Sequence, residues 1–108
     1  MTEHILCSEY LERPITIRMG WDRSLQGFFM SIEFAAEVRE APIYSHLTDP
    51  ELRNLGGFAD DLAPLIRTLK RFELTVPESM LQEVRLDGML NKSGCNTRWN
   101  AAGEVISS

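Results

Sequence analysis

The chain has 108 residues, of which 44% are hydrophobic and 25% are charged, and a net charge of −5. This length and composition predict one globular domain rather than a disordered chain. No run approaches the roughly 18 uncharged apolar residues of a membrane span, and the N-terminus lacks a secretory pattern, so we expect a cytoplasmic location. Cys7 and Cys95 lie far apart in sequence, and two reduced thiols are expected rather than a disulfide.

The charge is distributed unevenly along the chain. Residues 1–61 hold 11 acids and 5 bases, a net charge of −6, whereas residues 62–108 hold 5 acids and 6 bases. An acidic half repels phosphates, which argues against nonspecific binding of nucleic acid. It permits a basic protein partner, although solubility alone also explains such a charge.

The first third of the chain is patterned as strands. A short strand is predicted over residues 4–10. From residue 15 to 21, and again from 28 to 34, apolar and other side chains alternate with the period of two that is typical of strands, and a turn joins these two segments. Residues 36–41 are predicted to be an exposed link, and residues 42–47 a short fourth strand that starts with a proline.

Helical patterns follow. A short helix is predicted from Thr48 to about Gly56, and a second one runs to Phe72 after a cap at Asp60 or Asp61. Its apolar residues recur at helical spacing. Thr75 and Glu78 match a capping box, which predicts a third helix that ends near Asp87–Gly88.

The order of these elements predicts the fold class. Strands first and helices second indicate an α+β domain, with an N-terminal antiparallel meander of three to four strands and two to three helices packed on one face. Residues 97–100 form a possible C-terminal strand. We therefore expect a single domain over residues 1–100 and a flexible tail over residues 101–108.

The turn between the two alternating strands is the first candidate for a binding site. Trp21, Arg23 and Phe29 are residue types that dominate binding hot spots, and turns present side chains well. Packing offers an alternative, because Trp21 continues the apolar face of its strand and Asp22 at the start of a turn typically bonds local backbone N–H groups. Phe29 lies opposite the apolar face, so it needs a second place of burial. Both interpretations remain open at this point.

A polar pocket is the second candidate. Tyr44 and His46 are two residues apart in a predicted strand, which places them on one face, and they could join Asp22 and Arg23 between the sheet and the helices. His4 is the other histidine. No spacing of a metal site, phosphate-binding loop, nucleophile elbow or redox pair is present, so no metal, no cofactor and no catalytic residues are predicted.

The segment GWDRSLQGFF, residues 20–29, resembles a family of small uncharacterised bacterial proteins with a similar strand–turn–strand. Those chains also have counterparts of residues 42–45 and of residues 76–78. The resemblance implies a compact bacterial domain and brings no activity, catalytic residue or cofactor.

These patterns predict a small non-enzymatic protein that binds or regulates another protein, of the inhibitor or adaptor type. The binding residues would be drawn from Trp21, Asp22, Arg23, Phe29, Tyr44 and His46. One alternative is a ligand-binding protein or enzyme with a pocket between the sheet and the helices. Another is a protein that self-associates through an open sheet edge or an exposed Phe29.

Overall fold

The computed structural model describes residues 1–35 and 41–107, and only the backbone of residues 53–55. The link predicted over residues 36–41 lies, apart from Ala41, outside the described residues. Within the described part, the strands are β1 (Thr2–Tyr10), β2 (Arg13–Asp22), β3 (Gly27–Phe34), β4 (Tyr44–Ser45), β5 (Cys95–Trp99) and β6 (Val105–Ser107). The helices are α1 (Ala63–Arg71) and α2 (Glu78–Met89), and 3₁₀ helices cover His46–Thr48 and Pro50–Leu55.

The α+β class is confirmed, but the sheet is larger than predicted and mixed. Its strand order is β4-β3-β2-β1-β5-β6. The first four strands form the predicted antiparallel meander. After the helices, β5 returns beside β1 and parallel to it, and β6 then pairs antiparallel with β5. A crossover through helices allows this parallel pairing, which a tight hairpin does not.

The two faces of the sheet differ as the period of two requires. Both helices pack on one of them, which we call the core face. The other, the outer face, carries polar residues such as Glu3 and Arg18, whose side chains form an ion pair at 2.8 Å. Burial of each large apolar side chain contributes roughly 1.5–3 kcal/mol. The most deeply buried side chains of β1–β3 are Leu6, Ile15, Ile17, Met19, Met30 and Ile32, and the helices cover them with Leu65, Leu69, Met80 and Val84.

The helices differ from their predicted bounds for local reasons. The first predicted helix is a 3₁₀ helix over Pro50–Leu55, and the other 3₁₀ helix, His46–Thr48, replaces the end of the predicted fourth strand. The predicted cap of α1 at Asp60 or Asp61 is wrong by one residue, because the N-cap is Leu62 and no side chain caps the helix. Oδ1 of Asp61 nevertheless accepts a hydrogen bond from the backbone N–H of Ala63 at 2.8 Å. The capping box is wrong: α2 begins after Pro77, with no side-chain cap at its N-terminus. The helix therefore starts later than a Thr75 cap requires.

Two end segments also differ from expectation. The predicted fourth strand shortens to β4 because the chain turns after Ser45, whose Oγ accepts the N–H of Leu47. At the C-terminus, β6 lies within the predicted tail. Oδ1 of Asn100 accepts the N–H groups of Ala102 and Glu104, which holds the turn that returns β6 to the sheet.

The two cysteines lie on different faces of the sheet. Cys7 is exposed on the outer face and Cys95 lies on the core side of β5, and both are free. Neither α1 nor α2 has the length and apolar character that crossing a bilayer demands, and the same holds for any other helix among the described residues.

Candidate functional site

Trp21 and the turn after it are tied to the end of α2. The indole is 8% exposed and packs edge-to-face on Phe28, with ring centroids 4.9 Å apart. Its Nε1–H donates to Oδ1 of Asn91 at 3.0 Å, and the side-chain amide of Gln26 donates to the same oxygen at 2.8 Å. Trp21 is therefore a packing residue in the isolated chain, and Asn91 joins the hairpin to the residues that follow α2.

The turn of the hairpin has an ordered backbone and an exposed tip. Oδ1 of Asp22 accepts the N–H of Leu25 at 3.1 Å, which confirms its predicted local role. The amide of Gln26 donates to the backbone carbonyl of Arg23. The side chains of Arg23 and Leu25 are exposed. Of the predicted hot-spot residues in this hairpin, Arg23 is thus the one that the fold presents to solvent.

Phe29 has the second place of burial that its position demands. It lies on the outer face but is only 5% exposed. His46 lies 5.7 Å from its ring, and Phe58 lies 4.9 Å from the imidazole, as measured between ring centroids. The segment from residue 46 to 58 therefore covers this corner of the outer face. Gly27 makes room for it, because a Cβ there would lie 2.5 Å from Cβ of Phe58.

His46 also forms a hydrogen bond with a backbone carbonyl of β3. Its Nδ1 lies 3.0 Å from the carbonyl oxygen of Met30, and because a carbonyl only accepts, this nitrogen carries the proton. Burial lowers the pKa of His46, while the bond to Met30 and the negative charge of Asp22 act in the opposite direction. The imidazole of His46 is therefore neutral at pH 7 and donates its hydrogen bond to β3.

The side chain of Tyr44 lies on the core face of the sheet, opposite the face that carries Phe29. It pairs with Ile32 on the core face, is 7% exposed and packs near Phe72. Its hydroxyl donates to Oδ2 of Asp49 at 2.6 Å. Burial first, and then the hydrogen bond to Asp49 and its charge, raise the pKa of Tyr44 above the ordinary value.

Tyr44 and His46 therefore do not share a face. The chain leaves β4 after Ser45, and the 3₁₀ helix turns His46 toward Phe29. The expected pocket of Tyr44 and His46 with Asp22 and Arg23 does not form. The prediction is wrong because the alternation of side chains between the two sheet faces ends with β4 at Ser45.

A buried chain of hydrogen bonds joins His4, Asp87 and Trp99, which no sequence spacing connects. Nε1–H of Trp99 donates to Nδ1 of His4 at 2.9 Å, and Nε2 of His4 lies 2.6 Å from Oδ2 of Asp87. Because Nδ1 accepts, Nε2 carries the proton and donates to Asp87. The sequence contains a signal for the burial of two of these residues: His4 alternates with Leu6 on the core face, and Asp87 continues the buried stripe of α2.

The imidazole of His4 is held by hydrogen bonds on both sides. Both imidazole nitrogens of His4 are engaged, so neither is available to a substrate while the bonds remain. His4, Asp87 and Trp99 themselves line a cavity of about 360 Å³, together with residues that include Lys92, Cys95 and Thr97. Within residues 1–35 and 41–107, no group of three or more His, Cys, Asp or Glu side chains is placed to hold a metal ion.

A second cavity lies beside the hairpin, and we call it the hairpin cavity. It measures about 350 Å³ between the β2–β3 hairpin, the segment before α1, and α2. Gly88 lets α2 approach the hairpin closely, because a Cβ there would lie 2.5 Å from Cζ of Phe28. The walls combine apolar and charged residues: Trp21, Phe28, Leu62, Gly88 and Met89 with Asp60, Asp61 and Arg85.

One exposed apolar side chain lines this cavity, and others lie near the same end of α2. Met89, which lines it, is 81% exposed, and Leu90 is 59% exposed. Leu86 lies one turn before Leu90 on α2, and Leu25 protrudes from the hairpin turn that Asn91 ties to the same end of the helix. We call Leu25, Leu86, Met89 and Leu90 the apolar surface.

The fold and these features define a single-sheet α+β protein with a buried His–Asp–Trp hydrogen-bond chain and an apolar surface beside a small cavity. Comparison with family models, with curated proteins and with solved structures finds no match to the chain.

Proposed function

We propose that the chain is a small non-enzymatic protein-binding module of the inhibitor or adaptor type, and that the apolar surface is its contact site. The observation that carries this proposal is the exposure of Leu86, Met89 and Leu90 at one end of α2, beside the exposed Leu25. Adjacent apolar side chains exposed to water mark interaction sites more often than scattered ones do. A cavity lined by aromatic side chains next to them supports the same interpretation.

Other exposed apolar residues serve as a comparison. Leu11 lies in the turn between β1 and β2, and Leu47 lies in the 3₁₀ helix after β4. Single exposed side chains of this kind are normal on soluble proteins. They therefore provide matched controls for substitutions in the apolar surface.

The experiment is a capture of partners from a lysate of the cells that make the protein. The tagged proteins are the wild type, the variant M89S/L90S and the control variant L11S/L47S, each checked for folding by urea unfolding. We expect a partner to be retained by the wild type and the control and lost by M89S/L90S. Equal recovery by all three folded proteins, or no partner with any of them, would overturn the proposal.

Self-association is a second candidate, and β6 favours it. This strand lies at one end of the strand order and exposes Val105 and Ile106. An edge strand offers backbone N–H and C=O groups to a second copy. Sedimentation at micromolar concentration tests it: I106K should shift a dimer to monomer, and a wild type that sediments as a monomer would contradict it.

The remaining expectations stay predictions. They are a cytoplasmic location, the absence of nucleic-acid partners, and membership of the bacterial family that residues 20–29 resemble. The part of the hairpin that can contact a partner is its exposed tip, Arg23 and Leu25, and not the buried Trp21.

A further inference from the structure

We infer that the hairpin cavity receives one large apolar side chain of the partner, and that a lysine or arginine next to that side chain contacts Asp60 and Asp61. This inference rests on the proposed function and deepens it, because it names the chemistry of the segment that the apolar surface would bind.

The walls of the hairpin cavity are suited to an apolar group. Trp21 and Phe28 form its aromatic side, and Leu62 and Met89 complete it. The only polar atom of the indole is already bonded to Asn91. A polar group inserted against these walls would lose its water without gaining a partner there, whereas an apolar one gains from burial.

The size of the cavity and its surroundings favour a protein segment over a small molecule. A volume of about 350 Å³ lies near the lower end of ligand sites, which span roughly 300–1,000 Å³. Further apolar side chains are exposed outside the cavity, at Leu86 on α2 and at Leu90 just after it. A small ligand in the cavity would leave this surface in water, while a partner segment anchored there can cover it.

The charges beside the hairpin cavity favour a positively charged residue next to the apolar side chain that enters it. Asp60 and Asp61 are both exposed, and the bond from Ala63 uses only one oxygen of Asp61. Arg85 also lines the cavity, but its guanidinium lies 3.6 Å from a carboxylate oxygen of Glu78, which offsets its charge. The chain carries a net charge of −5 as well. The two aspartates therefore attract a basic segment to the hairpin cavity, and the net charge of the chain acts in the same direction.

The direct test is an NMR titration of the ¹⁵N-labelled protein with three end-blocked peptides, Ala-Lys-Phe-Lys-Ala, Ala-Glu-Phe-Glu-Ala and Ala-Lys-Gly-Lys-Ala. We expect the first to shift the indole N–H of Trp21 and the amides of Leu62 and Gly88. The acidic peptide should bind several-fold more weakly, because its carboxylates would be repelled by Asp60 and Asp61 instead of pairing with them. The glycine peptide should leave these signals unchanged.

The variant D60N/D61N isolates the charges. Asparagine keeps an acceptor for the N–H of Ala63, so the hydrogen bond just before α1 is preserved. The variant should weaken binding of the lysine peptide several-fold and remove its preference over the glutamate peptide. The control variant E12Q/E33Q removes two exposed acids elsewhere and should bind like the wild type.

Three results would overturn the inference: equal binding of the lysine and glutamate peptides, shifts confined to another part of the molecule, or no binding of either phenylalanine peptide. Failure of the proposed function is recognised separately in the capture experiment. A partner lost by M89S/L90S but retained fully by D60N/D61N would uphold the contact surface and reject the cationic anchor.

Discussion

Nε2 of His4 lies 2.6 Å from Oδ2 of Asp87, although 83 residues separate the two in sequence. His4 is 3% exposed and Asp87 is 2% exposed. Trp99 donates to the other nitrogen of the same imidazole. These bonds link β1, α2 and β5, so they connect the meander at the front of the chain to the elements contributed by its second half.

Removing Asp87 should therefore be costly. In D87A the buried Nε2–H of His4 loses its acceptor, and we expect the free energy of unfolding to fall by about 3 kcal/mol. D87N retains an amide oxygen that can accept the same bond, so its loss should be smaller, about 1 kcal/mol. Urea unfolding measures both. Equal losses in the two variants would show that the hydrogen bond does not account for the effect.

Asn91 offers a test of the link between the hairpin and α2. Its φ is 51°, so N91G keeps the backbone conformation while it removes the acceptor shared by Trp21 and Gln26. We expect N91G to lose about 1 kcal/mol of stability and to alter the fluorescence of Trp21. N91D keeps both acceptor bonds and should behave like the wild type. If N91G and N91D are indistinguishable, the two side-chain bonds do not stabilise the hairpin.

Gly20 is required by a close backbone approach. A Cβ at this position would lie 2.2 Å from the carbonyl oxygen of Thr2, and a backbone atom cannot move aside as a flexible side chain does. G20A should thus lower the free energy of unfolding by about 3 kcal/mol or more. G56A provides the contrast: Gly56 has φ of 69° and nothing within 4 Å of its Cβ position. That variant should lose only about 1 kcal/mol, from backbone strain. Comparable losses in urea unfolding would refute the steric account.

His46 should make stability depend on pH in the weakly acidic range. Burial lowers its pKa in the folded chain, so as the pH falls through about 6.5 the unfolded chain takes up a proton first. The unfolded state then binds more protons, and the free energy of unfolding decreases as the pH falls. H46Q retains a donor for the carbonyl of Met30 but does not titrate. The stability difference between wild type and H46Q should therefore change across this range, and a constant difference would contradict the assignment.

Asp22 modulates the same titration. Its negative charge raises the pKa of His46 and so opposes the effect of burial. D22N keeps an acceptor for the N–H of Leu25 while removing the charge. The loss of stability on acidification should therefore be steeper in D22N than in the wild type, as followed by urea unfolding at several pH values. An unchanged slope would mean that Asp22 does not act on His46.

Local periodicity was sufficient to predict several elements. Ile15, Ile17, Met19 and Trp21 were expected on one strand face, and all are buried. Spacing likewise predicts the apolar stripe of α1, although the helix is capped at Leu62 rather than at Asp61. The position of Phe29 in its strand predicts a second place of burial. The sequence around Phe29 does not indicate that His46 and Phe58 provide it.

The sequence by itself determined the α+β class, the hairpin from β2 to β3 and the residues that face the core, because alternation and helical spacing are local properties of the chain. Only the tertiary structure decided that β5 runs parallel to β1, that His4 meets Asp87 and Trp99, and that Met89 and Leu90 stay exposed beside Trp21. These relationships depend on how the chain crosses the sheet after β4. No periodicity encodes that path, since its partners are distant in sequence and meet only when the helices pack.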